Sequence, residues 1–139
     1  MSLPDIEIER HGHVALVEIC RPPNNHFDLA LIEGLASAFE TLDQDVAIRA
    51  IVLAARGKHF CAGADFASAG PTDSTGDLYW AAVRLFRTRK PIVAAVQGAA
   101  IGAGVGLAVA ADFRVTCPEA RWSTNFTRMN YHPGFGLTA

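Results

Sequence analysis

The chain alternates short apolar runs with polar or amphipathic stretches. Apolar runs that are typical of strands occupy residues 14–20, 49–54, 92–96, 113–116 and, more briefly, 121–124. Residues 6–10 instead alternate apolar and charged side chains, and a turn at residues 11–13 joins them to the run at 14–20. This arrangement predicts an antiparallel hairpin near the N-terminus.

Three of the intervening stretches have the apolar periodicity of a helix. Residues 28 to about 42 place apolar side chains on one face, and Asp28 is the predicted N-cap. Residues 78–86 also have a helical pattern, whereas residues 67–77 are small, polar and predicted to be mobile. A third helix of two turns is predicted at residues 105–111. Strand, helix and strand in succession imply a right-handed crossover and parallel pairing, so the predicted fold class is α/β.

Composition limits the kinds of protein that this chain can be. Its 139 residues are 50% hydrophobic and 19% charged with a net charge of −2, which predicts one domain over residues 1–139 and no nucleic-acid binding. The three cysteines are odd in number and widely spaced, and no zinc-binding spacing occurs. Together with an N-terminus that lacks a signal-like segment, the cysteines predict a reduced, cytoplasmic location and no metal.

The stretch at residues 91–112, the longest run without a charge before Asp112, contains four of the twelve glycines. It reads as a buried strand, then a turn through Gly98 and Gly102-Ala103-Gly104, then the small-residue helix. Backbone N–H groups at such a helix start have no partner and favour negative charge, so the turn is a candidate anion or oxyanion site. Two alternatives remain open at this stage: a membrane span, and glycines that serve only to pack the helix tightly on the sheet.

A series of short motifs along the chain resembles the crotonase family, which contains the enoyl-CoA hydratases and isomerases. The motifs follow one another in order: Arg21-Pro22 with Asn25, residues 49–53, 60–66 and 97–104, Ala111-Asp112 and Pro133-Gly134. The resemblance implies a crotonase-like spiral of repeated ββα units, an acyl-CoA thioester as ligand with no other cofactor, and a homotrimer or hexamer. Chains of that family are nearly twice as long, so the C-terminal helical part is expected to be missing here.

The resemblance also implies a site. The backbone N–H groups of Ala64 and Ala103 match the family's two oxyanion-hole donors, which stabilise a thioester enolate more than the ground state. Residues 62–66 match the segment that wraps coenzyme A, and His26 falls where the family's chain passes the ligand. The residues expected to contact substrate are His26, Ala62, Ala64, Asp65, Phe66, Gly102, Ala103 and Phe126.

Two departures from the family concern the general acid and base. Enoyl-CoA hydratases of this family carry a glutamate at each of the positions that are Gly106 and Phe126 here, and neither residue can move a proton. His132 is the best substitute, since an unperturbed histidine titrates near neutrality. Weaker candidates are Arg128, Asn130 and Tyr131, and for all four an ordinary loop role is the alternative.

The function predicted from the sequence is therefore that of an acyl-CoA enzyme of the enoyl-CoA hydratase or isomerase type. Its alternatives within enzymes are an isomerase, a thioester hydrolase or a decarboxylase acting on the same enolate. From another class, an acyl-CoA-binding subunit with low activity fits the loss of both glutamates. A serine peptidase of the same fold is disfavoured, because no serine lies in either of the two glycine-containing turns, at residues 60–66 and 97–104.

Overall fold

The computed structural model of the protein describes residues 2–3, 5–65 and 75–138. Its strands are β1 (Ser2–Leu3), β2 (Ile6–His11), β3 (Val14–Ile19), β4 (Ala50–Ala55), β5 (Ile92–Val96), β6 (Ala99–Ile101), β7 (Phe113–Thr116) and β8 (Arg121–Ser123). Its helices are α1 (Leu29–Gln44), α2 (Thr75–Phe86) and α3 (Ala103–Val109), followed by a 3-10 helix at Asn125–Met129.

Six of these strands form one sheet in the order β1-β2-β3-β4-β5-β7. The hairpin between β2 and β3 is antiparallel, as the sequence predicts, and Glu7 pairs with Glu18 within it. From β3 onward the pairs β3–β4, β4–β5 and β5–β7 are all parallel. The α/β class is therefore confirmed, and the carboxyl ends of the parallel strands lie at one edge of the sheet.

Helix α1 covers this sheet because its apolar residues recur at helical spacing. Leu31, Leu35 and Phe39 are at most 1% exposed and belong to the main hydrophobic core. Asp28 caps the helix as predicted, since its Oδ1 accepts a 2.9 Å hydrogen bond from the N–H of Leu31. Helix α2 packs in turn on α1, where Arg84 forms a hydrogen-bonded ion pair with Glu40.

A second, two-stranded sheet was missed in the sequence. Strand β6 pairs in parallel with β8, so residues 99–101 are a strand where the sequence pattern indicated only a turn. Three residues are too few for periodicity to appear, and the pairing partner lies 22 residues away. Helix α3 also begins at Ala103 rather than at Val105, because the turn before it occupies fewer residues than expected.

The segment predicted to be mobile, residues 67–77, needs a partial correction. Its residues 67–74 lie outside the described residues, but residues 75–77 are the first turn of α2. The run at residues 91–112 divides into β5, β6 and α3, and the membrane-span alternative is wrong. None of the helices in the described ranges has the length and apolar composition that a bilayer crossing needs.

Candidate active site

Residues 60–65 lie between the loop after β3 and the small sheet, and hydrogen bonds hold both of their edges. On one edge, Cys61 forms a bridge to β6: its N–H donates to Ala99 at 3.0 Å, and its carbonyl accepts from Ile101 at 3.0 Å. On the other edge, the N–H of Ala62 donates to Asn24 at 2.9 Å. This segment, one of the two glycine-containing turns singled out in the sequence, is therefore fixed in position.

The direction of the Ala64 N–H follows from its neighbours. Phe27 donates to the carbonyl of Gly63 at 3.1 Å and accepts from the N–H of Asp65 at 2.8 Å, as in a parallel bridge. Successive residues of an extended segment point their backbone groups to opposite sides, so the N–H of Ala64 faces away from Phe27. Gly63, at φ 104°, provides the backbone turn that this arrangement requires.

The Ala103 N–H lies at the start of α3. Gly102, the N-cap, has φ 57° and donates its own N–H to Ser123 of β8 at 2.7 Å. Ala103 is then the first helical residue, whose N–H has no partner within a helix. Within the described residues, neither the Ala64 nor the Ala103 N–H donates to a backbone carbonyl. Both groups are therefore available to a ligand.

Glycines also bring α3 close to this segment. A Cβ on Gly104 would overlap the carbonyl oxygen of Cys61, so only glycine allows the helix start to approach residues 60–65 this closely. The packing role that was an alternative explanation of the glycines is therefore real at Gly104. This packing role does not exclude a binding role for the turn, since the N–H of Ala103 is still available to a ligand.

A cavity of about 340 Å³ lies where the two turns meet. Both Ala64 and Ala103 line it, together with five further residues singled out in the sequence: Ala62, Gly102, Phe126, Tyr131 and His132. His26 and Asp65 are not among the lining residues, and the ring of His26 lies behind the site with Nδ1 3.3 Å from the carbonyl of Gly63. Phe66 lies outside the described residues.

Among the described lining residues no side chain is a carboxylate, and the ionisable groups are Tyr79, Tyr131 and His132. Phe27, Tyr79, Asn125 and Phe135 also line the cavity and were not predicted. For Tyr79 and Phe135 no local signal exists, because α2 and the last turn meet the site only through tertiary packing, whereas Phe27 and Asn125 adjoin the predicted residues His26 and Phe126. Arg128 and Asn130, two of the predicted substitutes for the glutamates, are absent from the described lining.

His132 is exposed and has a defined orientation. Its Nδ1 lies 2.7 Å from the carbonyl oxygen of Pro133, which can only accept a hydrogen bond. The neutral ring therefore carries its proton on Nδ1 and leaves a lone pair on Nε2. A ring in this tautomer can accept a proton at Nε2.

Within residues 5–65 and 75–138, the cysteines and carboxylates outside the cavity do not form a second reactive site. Burial raises the pKa of Cys61 to about 11, against a smaller opposing effect of the Gly63 N–H, so its thiol stays protonated and unreactive at neutral pH. Glu7, Glu18 and Cys20 lie close enough together to hold a cation. However, the guanidinium of Arg56 already binds both carboxylates, at 2.7 and 2.6 Å.

Comparison with known proteins identifies the family. The model of the enoyl-CoA hydratase/isomerase family matches residues 9–139. A probable enoyl-CoA hydratase, EchA14 of Mycobacterium tuberculosis, is 36% identical over 135 residues, which cover 91% of this chain and 52% of that protein. A probable peroxisomal enoyl-CoA hydratase of Arabidopsis thaliana is 33% identical over 132 residues, which cover 91% of this chain and 49% of that protein.

Solved structures agree with this result. DspI of Pseudomonas aeruginosa superposes with a TM-score of 0.88 at 32% identity, over 96% of this chain and 58% of that one. An enoyl-CoA hydratase subunit of Geobacillus kaustophilus superposes with a TM-score of 0.86 at 30% identity, over 95% and 53% of the two chains. The fold and the two turns thus define a crotonase-like protein. The chain belongs to the enoyl-CoA hydratase/isomerase family and spans about half the length of the relatives that it matches.

Proposed function

We propose that the protein binds acyl-CoA thioesters and stabilises the enolate of the bound thioester. The observation that carries this proposal is that one cavity is lined by Ala64 and Ala103, whose N–H groups donate to no backbone carbonyl of the described residues. A thioester carbonyl gains negative charge as it becomes an enolate, and fixed donors stabilise that charge without reorganising. Apolar neighbours such as Phe27 and Phe126 keep the local dielectric constant low, which strengthens both hydrogen bonds.

Ala103 offers a direct test of this proposal. Proline is well tolerated at the first position of a helix, so Ala103→Pro removes the N–H donor at little structural cost. Ala103→Gly is the matched control because it keeps the donor. Losing one oxyanion-hole donor costs roughly 10²- to 10³-fold in turnover, and we expect that loss for the proline variant alone.

The measurement should report enolate formation whatever reaction follows it. Exchange of the acyl α-protons of butyryl-CoA into D₂O, followed by NMR, meets this need, and thermal melting of each variant verifies folding. Equal exchange rates in the parent and in folded Ala103→Pro would show that the Ala103 N–H is not a donor. Failure of the folded parent to bind any acyl-CoA by calorimetry would contradict the proposal as a whole.

The reaction that follows the enolate is proposed not to be ordinary hydration. Gly106 and Phe126 stand where the hydratases of the family carry glutamates, and general acid–base groups contribute about 10²- to 10⁴-fold. We infer slow or absent hydration of crotonyl-CoA, with Nε2 of His132 as the candidate base for isomerisation, hydrolysis or decarboxylation. Hydration at rates typical of efficient enzymes would contradict this inference, and His132→Ala would then identify the base.

A second candidate function is acyl-CoA binding with little turnover. The absence of any carboxylate from the described cavity lining favours it. Binding of a thioester without measurable α-proton exchange in the parent would replace the enzyme with this binding subunit. Assembly as a trimer or hexamer, the cytoplasmic location and the single domain over residues 1–139 remain predictions.

A further inference from the structure

The wall of the cavity behind α3 is formed by the loop at residues 134–136. Phe135, in this loop, is 3% exposed, and its backbone fills the space that a side chain at position 106 would occupy. A Cβ on Gly106 would overlap the carbonyl oxygen of Phe135 and lie 2.7 Å from its ring carbon Cδ1. Because Gly106 follows Ala103 by three residues, both lie on the same face of α3. The loop therefore covers the face of α3 that contains both Gly106 and Ala103, one of the two proposed donors.

The ring of Phe135 also reaches the segment that supplies the other donor. It packs against Phe27 with ring centroids 5.4 Å apart and an angle of 45° between the planes. Phe27 is the residue whose backbone bridges to Ala64. The ring thus lies between the two structures that hold the proposed donors.

Packing against α2 holds this loop in place. A Cβ on Gly134 would overlap the hydroxyl oxygen of Tyr79, and one on Gly136 would lie 2.5 Å from Cζ of Phe86. Phe135 itself has φ 57°, a conformation that non-glycine residues adopt only when their surroundings enforce it. A bulky ligand therefore cannot displace the ring without disturbing α2.

We propose that Phe135 is a specificity-determining residue that excludes branching at the acyl α-carbon. The inference rests on the proposed function, since it takes a thioester whose carbonyl lies at Ala64 and Ala103 and whose acyl α-carbon faces the Phe135 ring in the same cavity. A rigid aromatic wall leaves no space for an added methyl group, and one methyl or methylene group in such a pocket changes selectivity by roughly 10- to 200-fold. The substrates it favours are thioesters with a straight or very short acyl chain.

The test compares butyryl-CoA with isobutyryl-CoA, which have the same atoms and differ only in branching at the α-carbon. Calorimetry should find that the parent protein binds butyryl-CoA roughly 10-fold or more tightly. Phe135→Leu, which shortens the wall, should bring the two affinities closer by a similar factor. Phe39→Leu is the matched control: Phe39 is equally buried but does not line the cavity, so the parent ratio should be retained.

The outcomes separate this inference from the function on which it rests. If the folded parent binds neither thioester, the proposed function fails and the inference fails with it. If the parent binds both equally, or if Phe135→Leu keeps the parent ratio, only the role of Phe135 is overturned. Should Phe135→Leu not fold, Phe135→Met is the second variant, because its flexible, unbranched side chain adapts to the space left by the ring, and it should shift the ratio in the same direction.

Discussion

Single residues with unusual backbone conformations hold the two turns of the site together. Asn25 is 0% exposed and has φ 49°. Its Nδ2 donates to the carbonyls of Arg56 at 2.7 Å and His59 at 2.6 Å, and its Oδ1 accepts from the N–H of Arg21 at 2.9 Å. One buried amide thus ties the loop after β3 to the segment that leads to residues 60–65. Its position in the motif series of the sequence reflects this structural role.

Gly98, between β5 and β6, allows a prediction about such positions. Its φ is 58°, and a Cβ there would overlap the backbone carbonyl of Lys58. Gly12 has nearly the same φ, 60°, but nothing lies within 4 Å of its Cβ position. We expect Gly12→Ala to lower the free energy of unfolding only by the ~1–2 kcal/mol that a left-handed conformation costs a residue with a side chain. Gly98→Ala should lower the free energy of unfolding by clearly more, because the backbone at Lys58 must also move to make room for the new Cβ.

Urea denaturation of both variants measures this difference. Comparable losses for Gly98→Ala and Gly12→Ala would mean that residue 58 moves freely and that the turn before the small sheet is not tightly packed. The pair is well matched, since both glycines lie in turns next to strands and have the same handedness. Only the surrounding atoms distinguish them.

At the scale of whole elements, α1 depends on its capped N-terminus. Burial raises the pKa of Asp28, but the Leu31 N–H and the Arg21 guanidinium, which lies 2.9 Å from Oδ2, lower it more, so the net shift is below the ordinary 3.8. The carboxylate therefore contributes stability above that pH, and the contribution is lost as the pH falls through the lower folded pKa. Stability at neutral pH should depend on this side chain.

We expect Asp28→Ala to lower the free energy of unfolding at pH 7 by about 0.5–2 kcal/mol. The difference from the parent should shrink as the pH falls below 3.8 and through the lowered folded pKa, where the carboxyl of the parent becomes protonated. Asp28→Asn keeps an oxygen acceptor for the cap and loses only the ion pair. Its free energy of unfolding should therefore lie between those of the parent and of Asp28→Ala. A difference between parent and Asp28→Ala that does not change with pH would contradict the assigned role of the charge.

Elements with a long apolar pattern could be predicted from the sequence, and those defined only by contact could not. The hairpin, α1, β4 and β5 each bury a face with clear periodicity, and the structure confirms them. Strand β6 has only three residues and was missed, and the pairing of β6 with β8, which was itself predicted as a short strand, depends on the close approach of distant segments. The same limit applies to the site: both turns could be located from their glycines, but Tyr79 and Phe135 reach the cavity only through packing.

For the molecule as a whole, Cys61 reports on opening of the core. It is 0% exposed, whereas Cys20 and Cys117 are partly accessible. Since burial raises the pKa of the Cys61 thiol to about 11 from 9.0, the folded state retains a proton that the unfolded state loses, and this effect lowers stability as the pH rises from 9 to 11. Alkylation of Cys61 at neutral pH should therefore require unfolding.

Single-cysteine variants labelled with iodoacetamide test this expectation. For a domain whose free energy of unfolding is at least about 5 kcal/mol, Cys61 should react about 10³-fold more slowly than Cys117, and urea should remove the difference. Rapid labelling of Cys61 in the folded protein would instead show that residues 60–65 open locally. The proposed donor at Ala64 would then not be held in a fixed position.

The close packing of the loop at residues 134–136 on Gly106 also restricts the evolution of this chain. The nearest atom to a new side chain at 106 is a main-chain oxygen, so a glutamate there cannot be gained in one step, nor by truncating Phe135 alone. Any mutational path to it must first rebuild the loop, beginning at residues with positive φ such as Gly136. New catalytic groups are more accessible at exposed positions of the cavity lining, such as Met129.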